Sequence, residues 1–389
     1  MNTFSRCLIS NSLLLSLLFL IGCSSSPNSS QGTYSIKGKI SNADKIVSAA
    51  LINLNQDTPN TQATTSVKNG EFEFNYELKE PGAFVIMLSE KDSTTSAEQR
   101  LLVFVDSKAI TVEGDAQNFI NAKVSGSVLH PTFDALRVRL MADQEQLMAL
   151  DQQLADANNA NDTTKATQLS EASFKITKSQ IEYIQSVVEK NKDNALGAFL
   201  ACSYLVEGNA PTFNIIDNCR ATVEGVQQAI SAKNPDYYWA KELTKIVTSV
   251  REAEARTAIG ADAPTIKAFD INNKEFDLTT LKGTPTVLIF WAARNQKSKQ
   301  WAINFQDYCK KIKDLSIVMI SVDYPAEEDF WRSTARAIPA KTHIFDPGAE
   351  QISSPLYNVK LIPYAILIDK NGKIKQKDIQ AEQIPELIK

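Results

Sequence analysis

The chain is 389 residues long, 43% hydrophobic and 22% charged, with 41 Lys+Arg against 45 Asp+Glu. That length accommodates two or three domains, the apolar share excludes wholesale disorder and a polytopic membrane protein, and a net charge of −4 gives no reason to expect a nucleic-acid partner. Two histidines, His130 and His343, exclude a His-rich metal centre, and neither a metal nor a cofactor is expected.

The first 22 residues carry one charged side chain, Arg6, followed by the leucine-rich stretch Leu8–Ile21. Spanning a bilayer takes roughly 20 apolar residues, more than this run holds. It ends Leu20-Ile21-Gly22-Cys23. These residues resemble a bacterial lipoprotein signal, which implies removal of residues 1–22 and a lipid anchor on Cys23. The alternative is an ordinary signal peptide with an incidental cysteine. Acyl chains contribute ~0.8 kcal/mol per buried CH₂, so several of them anchor a protein stably. Ser24 after the cysteine, by resemblance to enterobacterial sorting, implies the outer membrane, with the protein facing the periplasm. Residues 23–32 read as a Ser/Asn/Pro/Gly tether.

Residues 33–128 carry strand signals. Phe72, Phe74, Tyr76 and Leu78 alternate with Glu71, Glu73, Asn75 and Glu77, the period of a half-buried strand, and Asn69-Gly70 before them predicts a hairpin turn. Further strands are predicted at Tyr34–Ile40, Ala49–Leu54, Ala83–Leu88, Leu101–Val105 and Ala109–Val112, together a β-sandwich of roughly seven strands. The order Gly38-Lys39, Asn69-Gly70-Glu71-Phe72, Pro81, Ile110-Thr111-Val112 and Val124-Ser125-Gly126-Ser127 resembles a domain of unknown function that commonly precedes thioredoxin-like domains in Gram-negative envelope lipoproteins. Nothing in it suggests chemistry, so it reads as a spacer or docking module.

Residues 129–258 read as a helical scaffold. Phe133, Leu136, Leu140, Leu147, Leu150 and Leu154 follow three- and four-residue spacing, interrupted where Asp143 takes a seam position. A polar break at Ala157–Thr164 precedes Leu169, Ala172, Ile176, Tyr183 and Val187, so an antiparallel hairpin is predicted. Asn234-Pro235-Asp236 opens another helix with Trp239, Leu243, Ile246 and Val250 on one face. Cys202, at helical spacing from Phe199, Leu205 and Val206, reads as a buried small hydrophobe, and an oxidising compartment permits a disulfide from Cys202 to Cys219.

Residues 259–389 order their signals as strand Thr286–Ala292, helix marked by Trp301, Phe305, Tyr308 and Ile312, strand Ile317–Val322, Ile362-Pro363, strand Ile366–Asp369, turn Asn371-Gly372 and a final strand. With Ala263-Pro264 and Leu281-Lys282-Gly283, these residues resemble the redoxin (AhpC/TSA-type) and TlpA-like disulfide reductase families, which implies an α/β thioredoxin-like fold. The fold class is therefore multidomain: all-β sandwich, helical scaffold, thioredoxin-like domain.

The resemblance places a Cys-x-x-Cys pair two residues after Phe290-Trp291-Ala292. Here Asn295 and Ser298 stand at those two positions. Thiol exchange needs a thiolate activated at a helix N-terminus, and neither an amide nor an unactivated serine supplies one. Asn is instead a strong N-cap. Ile289 stands where many thioredoxins hold a buried acid. Arg294, Lys297 and Lys299 crowd a helix start, where cations oppose the helix dipole. An anion or plain solvation would accommodate them. Cys309 shares a face with Ala302, Phe305 and Ile312 and reads as buried.

Ile362-Pro363 corresponds to the cis-proline loop, which in the family pairs with bound peptides; Trp291, Ile362 and Pro363 are the implied peptide-binding residues. The expectation is a redox-inactive envelope lipoprotein that binds a protein or peptide and contacts the membrane through its lipid. The alternatives are thiol–disulfide oxidoreductase or peroxiredoxin-like activity through a non-standard cysteine, and a structural envelope component.

Overall fold

The structure is a computed structural model that describes residues 32–78, 80–90, 99–206, 215–340, 342–346 and 356–389. The signal segment and Cys23 lie outside these residues. The chain divides into two compact units, Met1–Val247 and Thr248–Lys389, and among the described residues no helix is long and apolar enough to cross a membrane.

The first unit opens with β1 (Gly32–Ser41), β2 (Ile46–Asn53), β3 (Asn60–Ser66), β4 (Glu71–Leu78), β5 (Gly82–Glu90), β6 (Arg100–Val105), β7 (Ala109–Asp115) and β8 (Lys123–Ser125). They form two four-stranded sheets, ordered β4-β1-β7-β8 and β3-β2-β5-β6. The alternation read in β4 is real, since Phe72, Phe74, Tyr76 and Leu78 are all buried while the residues between them are exposed. The Asn69-Gly70 turn forms with both residues at positive φ and Lys68 and Glu71 bonded to each other. It does not continue into a hairpin ladder. Val67 donates to the Val47 carbonyl and stays with β2's sheet, whereas β4 crosses over to pair with β1.

Among the described residues five α-helices follow: α1 (His130–Asn159), α2 (Thr163–Lys190), α3 (Ala195–Leu200), which runs on into a π-helical turn at Ala201–Val206, α4 (Ile215–Lys233) and α5 (Tyr238–Arg256). The strand-rich and helical segments share a core. Ile52, Leu54, Ala83 and Phe104 point away from the sandwich interior and pack with Leu136, Ile184, Phe199 and Leu243. β2, β5 and β6 are thus buried on both faces, whereas the edge strand β3 is not. Phe104 meets Phe133 at 5.3 Å and Phe199 at 5.5 Å, and the Trp239 indole N–H donates to Asn55 Oδ1 at 2.9 Å. The seam acid Asp143 is buried and accepts from Arg139 Nε at 3.0 Å.

The second unit contains β9 (Lys267–Phe269), β10 (Glu275–Asp277), β11 (Thr286–Trp291), α6 (Gln296–Cys309), β12 (Ser316–Ser321), α7 (Glu328–Arg336), β13 (Thr342–Phe345), β14 (Tyr364–Ile368), β15 (Ile374–Lys377) and α8 (Ile384–Leu387). Its five-stranded sheet is ordered β13-β12-β11-β14-β15. β11 and β13 run parallel to β12, while β14 runs antiparallel to β11 and β15. Every residue of β11 is buried. Val287, Ile289 and Trp291 face the core under α6 and α7, and Leu288 and Phe290 face the opposite core with Ile266 and Tyr357. Burial on both faces explains the unbroken apolar run, and each large side chain stabilises the sheet by about 1.5–3 kcal/mol.

Candidate functional site

The C-terminal ends of β11 and β12 and the beginning of β14 meet at one edge of this sheet, where α/β folds place their ligands. Phe290 pairs with Tyr364, so the cis Ile362–Pro363 peptide lies beside the end of β11. On the other side Trp291 pairs with Ser321, and Val322 donates to the Trp291 carbonyl at 2.8 Å. Residues 292–295 leave this edge and enter α6.

Asn295 caps that helix: its side-chain oxygen accepts the Ser298 backbone N–H at 3.0 Å, with φ −97° and ψ 106° at the cap. Ser298 is buried, and its hydroxyl accepts the Ala292 N–H at 3.2 Å. The two positions at which the family resemblance places thiols therefore spend their side chains on backbone hydrogen bonds. One satisfies a helix-end donor, the other a donor at the end of β11.

Beneath the loop lies a group that sequence reading missed. Asp323 is 0% exposed. Its carboxylate accepts the Ala293 N–H at 2.7 Å, the Arg294 N–H at 3.0 Å and the Ser321 hydroxyl at 2.6 Å. The Arg294 guanidinium completes the set at 3.3 Å. Arg294 also donates to the Val322 carbonyl at 3.0 Å and to Glu327 at 3.3 Å, and lies 4.1 Å from the centroid of the Tyr324 ring. Its positive charge is met inside the protein by two carboxylates and an aromatic face, so neither a bound anion nor plain solvation is needed to account for it. The site holds its buried acid after β12, whereas β11 carries Ile289 and no acid. The available signal was an acid directly following the apolar run Ile317–Val322.

Two of the residues named for peptide binding stay together and one does not. Ile362 and Pro363 are half-buried at the loop, and Leu361 before them is 48% exposed. Trp291 is fully buried among Val287, Ile289, Phe305 and Cys309. Side chains alternate across a strand, so Trp291 points to the α6/α7 side, whereas Ile362 packs against the opposite core. Trp291 is a core residue, not an accessible anchor.

Cys202, Cys219 and Cys309 are all buried, and no disulfide joins Cys202 to Cys219. Both sit in the apolar helical core as small hydrophobes. Burial pushes the Cys219 thiol up to about 11. Burial, reinforced by the charge of Glu382, pushes Cys309 up to about 12. Neither is poised as a thiolate near neutral pH.

Residues 34–133 match a domain of unknown function, DUF4369, and residues 259–377 match the AhpC/TSA family. Over 134 residues the chain is 27% identical to the thiol-disulfide oxidoreductase ResA of Bacillus thuringiensis subsp. konkukian (strain 97-27), covering 34% of this chain and 76% of that protein. The ResA of Bacillus anthracis is 26% identical over 129 residues, covering 33% and 73%. Among solved structures, the thioredoxin domain of a thiol-disulfide oxidoreductase from Bacteroides vulgatus is 22% identical, with a TM-score of 0.30, covering 34% of this chain and 99% of that one. A thioredoxin-like protein from Bacteroides caccae is 19% identical, with a TM-score of 0.36, covering 60% and 86%. The chain carries an N-terminal DUF4369 domain and a C-terminal thioredoxin-fold domain of the AhpC/TSA redoxin family.

Proposed function

We propose that this protein is a lipid-anchored envelope protein whose thioredoxin-like domain binds an extended peptide or protein segment without thiol chemistry. The observation that carries this reading is the use of Asn295 and Ser298: both side chains are committed to backbone hydrogen bonds at the start of α6. The three described cysteines are buried, which supports the same reading. The loop at Leu361–Pro363 lies at the end of the interior strands β11 and β14, and pairing of an extended peptide with the backbone of such a loop requires no catalytic residue. The lipobox-like Leu20–Cys23 supports the anchor, with the outer membrane facing the periplasm as its site.

A thiol-disulfide oxidoreductase reading draws on the names of the Bacillus relatives. The two separate in one assay, reduction of a peptide disulfide by the full chain. The binding reading expects no rate above the enzyme-free background. Turnover that disappears in Cys309→Ala would establish the oxidoreductase reading.

A further inference from the structure

Helix α7 separates its residues into a buried face and an exposed one at helical spacing. Trp331, Ala335 and Ile338 are buried in the core with Met319, whereas Asp329, Phe330, Ser333, Arg336 and Ala337 are all exposed. With 3.6 residues per turn the exposed five fall in one arc. Asp329 and Arg336, seven apart, lie within about 20° of each other on one flank. Phe330 and Ala337 do the same on the other flank, and Ser333 lies between the two pairs. Phe330 is 51% exposed and makes no ring contact among the described residues. The Ser333 hydroxyl is spent within the helix, donating to the Phe330 carbonyl at 2.8 Å, as Thr334 does at 2.9 Å.

The charges of this segment sort the same way. Glu327 is taken by Arg294 at 3.3 Å, and Glu328 holds Arg332 at 2.7 Å. Arg332 also donates to the Ile271 carbonyl at 2.9 Å, within its own unit. The two charges on the outward face are the ones left over: Asp329 and Arg336 make no ion pair among the described residues. An acid and a base thus stand on one flank, on either side of Ser333. Seven residues, about 10 Å of helix rise, keep them apart within one copy.

We propose that the outward face of α7 is a self-association surface, pairing antiparallel with the α7 of a second copy about a two-fold axis at Ser333. Such an axis, crossing both helices at right angles, sets each flank against the same flank of the second copy in reverse order. Asp329 then meets the second copy's Arg336, and Arg336 its Asp329, each pair offset by one residue, about 1.5 Å. On the other flank the Phe330 ring lies on the second copy's small Ala337. Ser333 meets Ser333 at the centre, where a short side chain lets the helices approach closely. The charges select this direction, because parallel pairing would set Asp329 on Asp329 and Arg336 on Arg336, which repels. A contact of nine helical residues buries less than the ~1,200 Å² at which stable specific interfaces begin, so the association is weak and concentration-dependent. It uses no residue of the Leu361–Pro363 loop and does not rest on the peptide-binding reading.

The test is sedimentation velocity of the full chain over a concentration series, with charge-reversed variants. Wild type should move from monomer toward dimer. Asp329→Lys and, separately, Arg336→Asp should each weaken dimerisation by about tenfold or more, because each sets like charge on like charge twice. The chain carrying both substitutions restores opposite charges at both contacts and should recover the wild-type dimer, which a variant that merely disturbed the fold would not do. As a second readout, Ser333→Cys should cross-link to itself under mild oxidation, since Ser333 sits at the two-fold axis. Wild type monomeric throughout the series, no recovery in the doubly reversed chain, or no Ser333→Cys self-cross-link would each overturn the proposal.

Discussion

Asp323 holds Arg294 twice, accepting its backbone N–H at 3.0 Å and its guanidinium at 3.3 Å. The contact ties the loop between β11 and α6 to the end of β12, and the buried carboxylate fixes Ala293 and Ser321 at the same time. Replacing Asp323 with Ala strands those donors and leaves Arg294 with Glu327 as its one carboxylate partner. The expected cost is about 3–5 kcal/mol, the range for breaking a buried charged network. Arg294→Ala keeps three of the four groups on Asp323 and should cost less. Urea unfolding followed by the fluorescence of Trp291, Trp301 and Trp331 gives both values; equal losses would contradict the ranking.

The helix start should tolerate being returned to thiols. Asn295 is exposed and Ser298 buried, which suits an attacking and a resolving sulfur. Asn295→Cys with Ser298→Cys should form an oxidisable pair, since the helix N-terminus that stabilises a thiolate is intact. Asn295→Ala alone removes the cap and should lower stability by about 1 kcal/mol. Thiol titration before and after oxidation checks the first, and a urea midpoint the second.

Stability should fall as the solution is acidified toward pH 4. Burial lowers the His130 imidazole to about 4, and burial also lowers His343, against a raising contribution from the Ile338 carbonyl. Both folded-state values lie below the unfolded one of 6.5. Below pH 6.5 the unfolded chain therefore binds protons that the folded chain does not, and stability is lost as pH drops through the window, levelling out for His130 below about 4. For His130 the full loss is about 3 kcal/mol. Urea midpoints at about pH 7.5 and about pH 5 should differ in the wild type and differ less in His130→Gln.

Much of this architecture is legible because burial leaves a period in the sequence. The Phe72–Leu78 alternation, the α1 seam and the unbroken run of β11 each name their element. β3, Asn-Thr-Gln-Ala-Thr-Thr-Ser, is not legible. It is a polar edge strand with no buried face to impose a pattern. Asp323 is hidden for a different reason: its partners are the backbone of residues 29 and 30 positions earlier, and backbone partners leave no trace in sequence. For Trp291 the information is present. Its place beside the loop suggests an anchor, but strand alternation with Val287 and Ile289 assigns it to the helix side of the sheet. That the strand and helix segments share one core is also hidden, because β2, β5 and β6 bury both faces and local periodicity does not say against what.

The lipobox-like segment makes a prediction of its own. Cys23→Ala should abolish incorporation of labelled fatty acid and leave the protein uncleaved or soluble. Label still incorporated into the Cys23→Ala chain would rule out Cys23 as the anchor.

Peptide docking without thiol chemistry is decided by capture from envelope extract with the full-length protein, cross-linked and quantified against variants of the Leu361–Pro363 loop. Ile362→Asp places a charge where an apolar contact is expected. Because Ile362 also packs on the core, the exposed Leu361→Asp serves as the fold-neutral partner, with circular dichroism confirming both. Docking at this loop predicts that both variants lose most of the peptide or protein recovered by wild type, whereas Asn295→Ala retains it. Recovery unchanged in well-folded Leu361→Asp and Ile362→Asp would refute docking here and move the binding surface away from the thioredoxin-like domain's sheet edge.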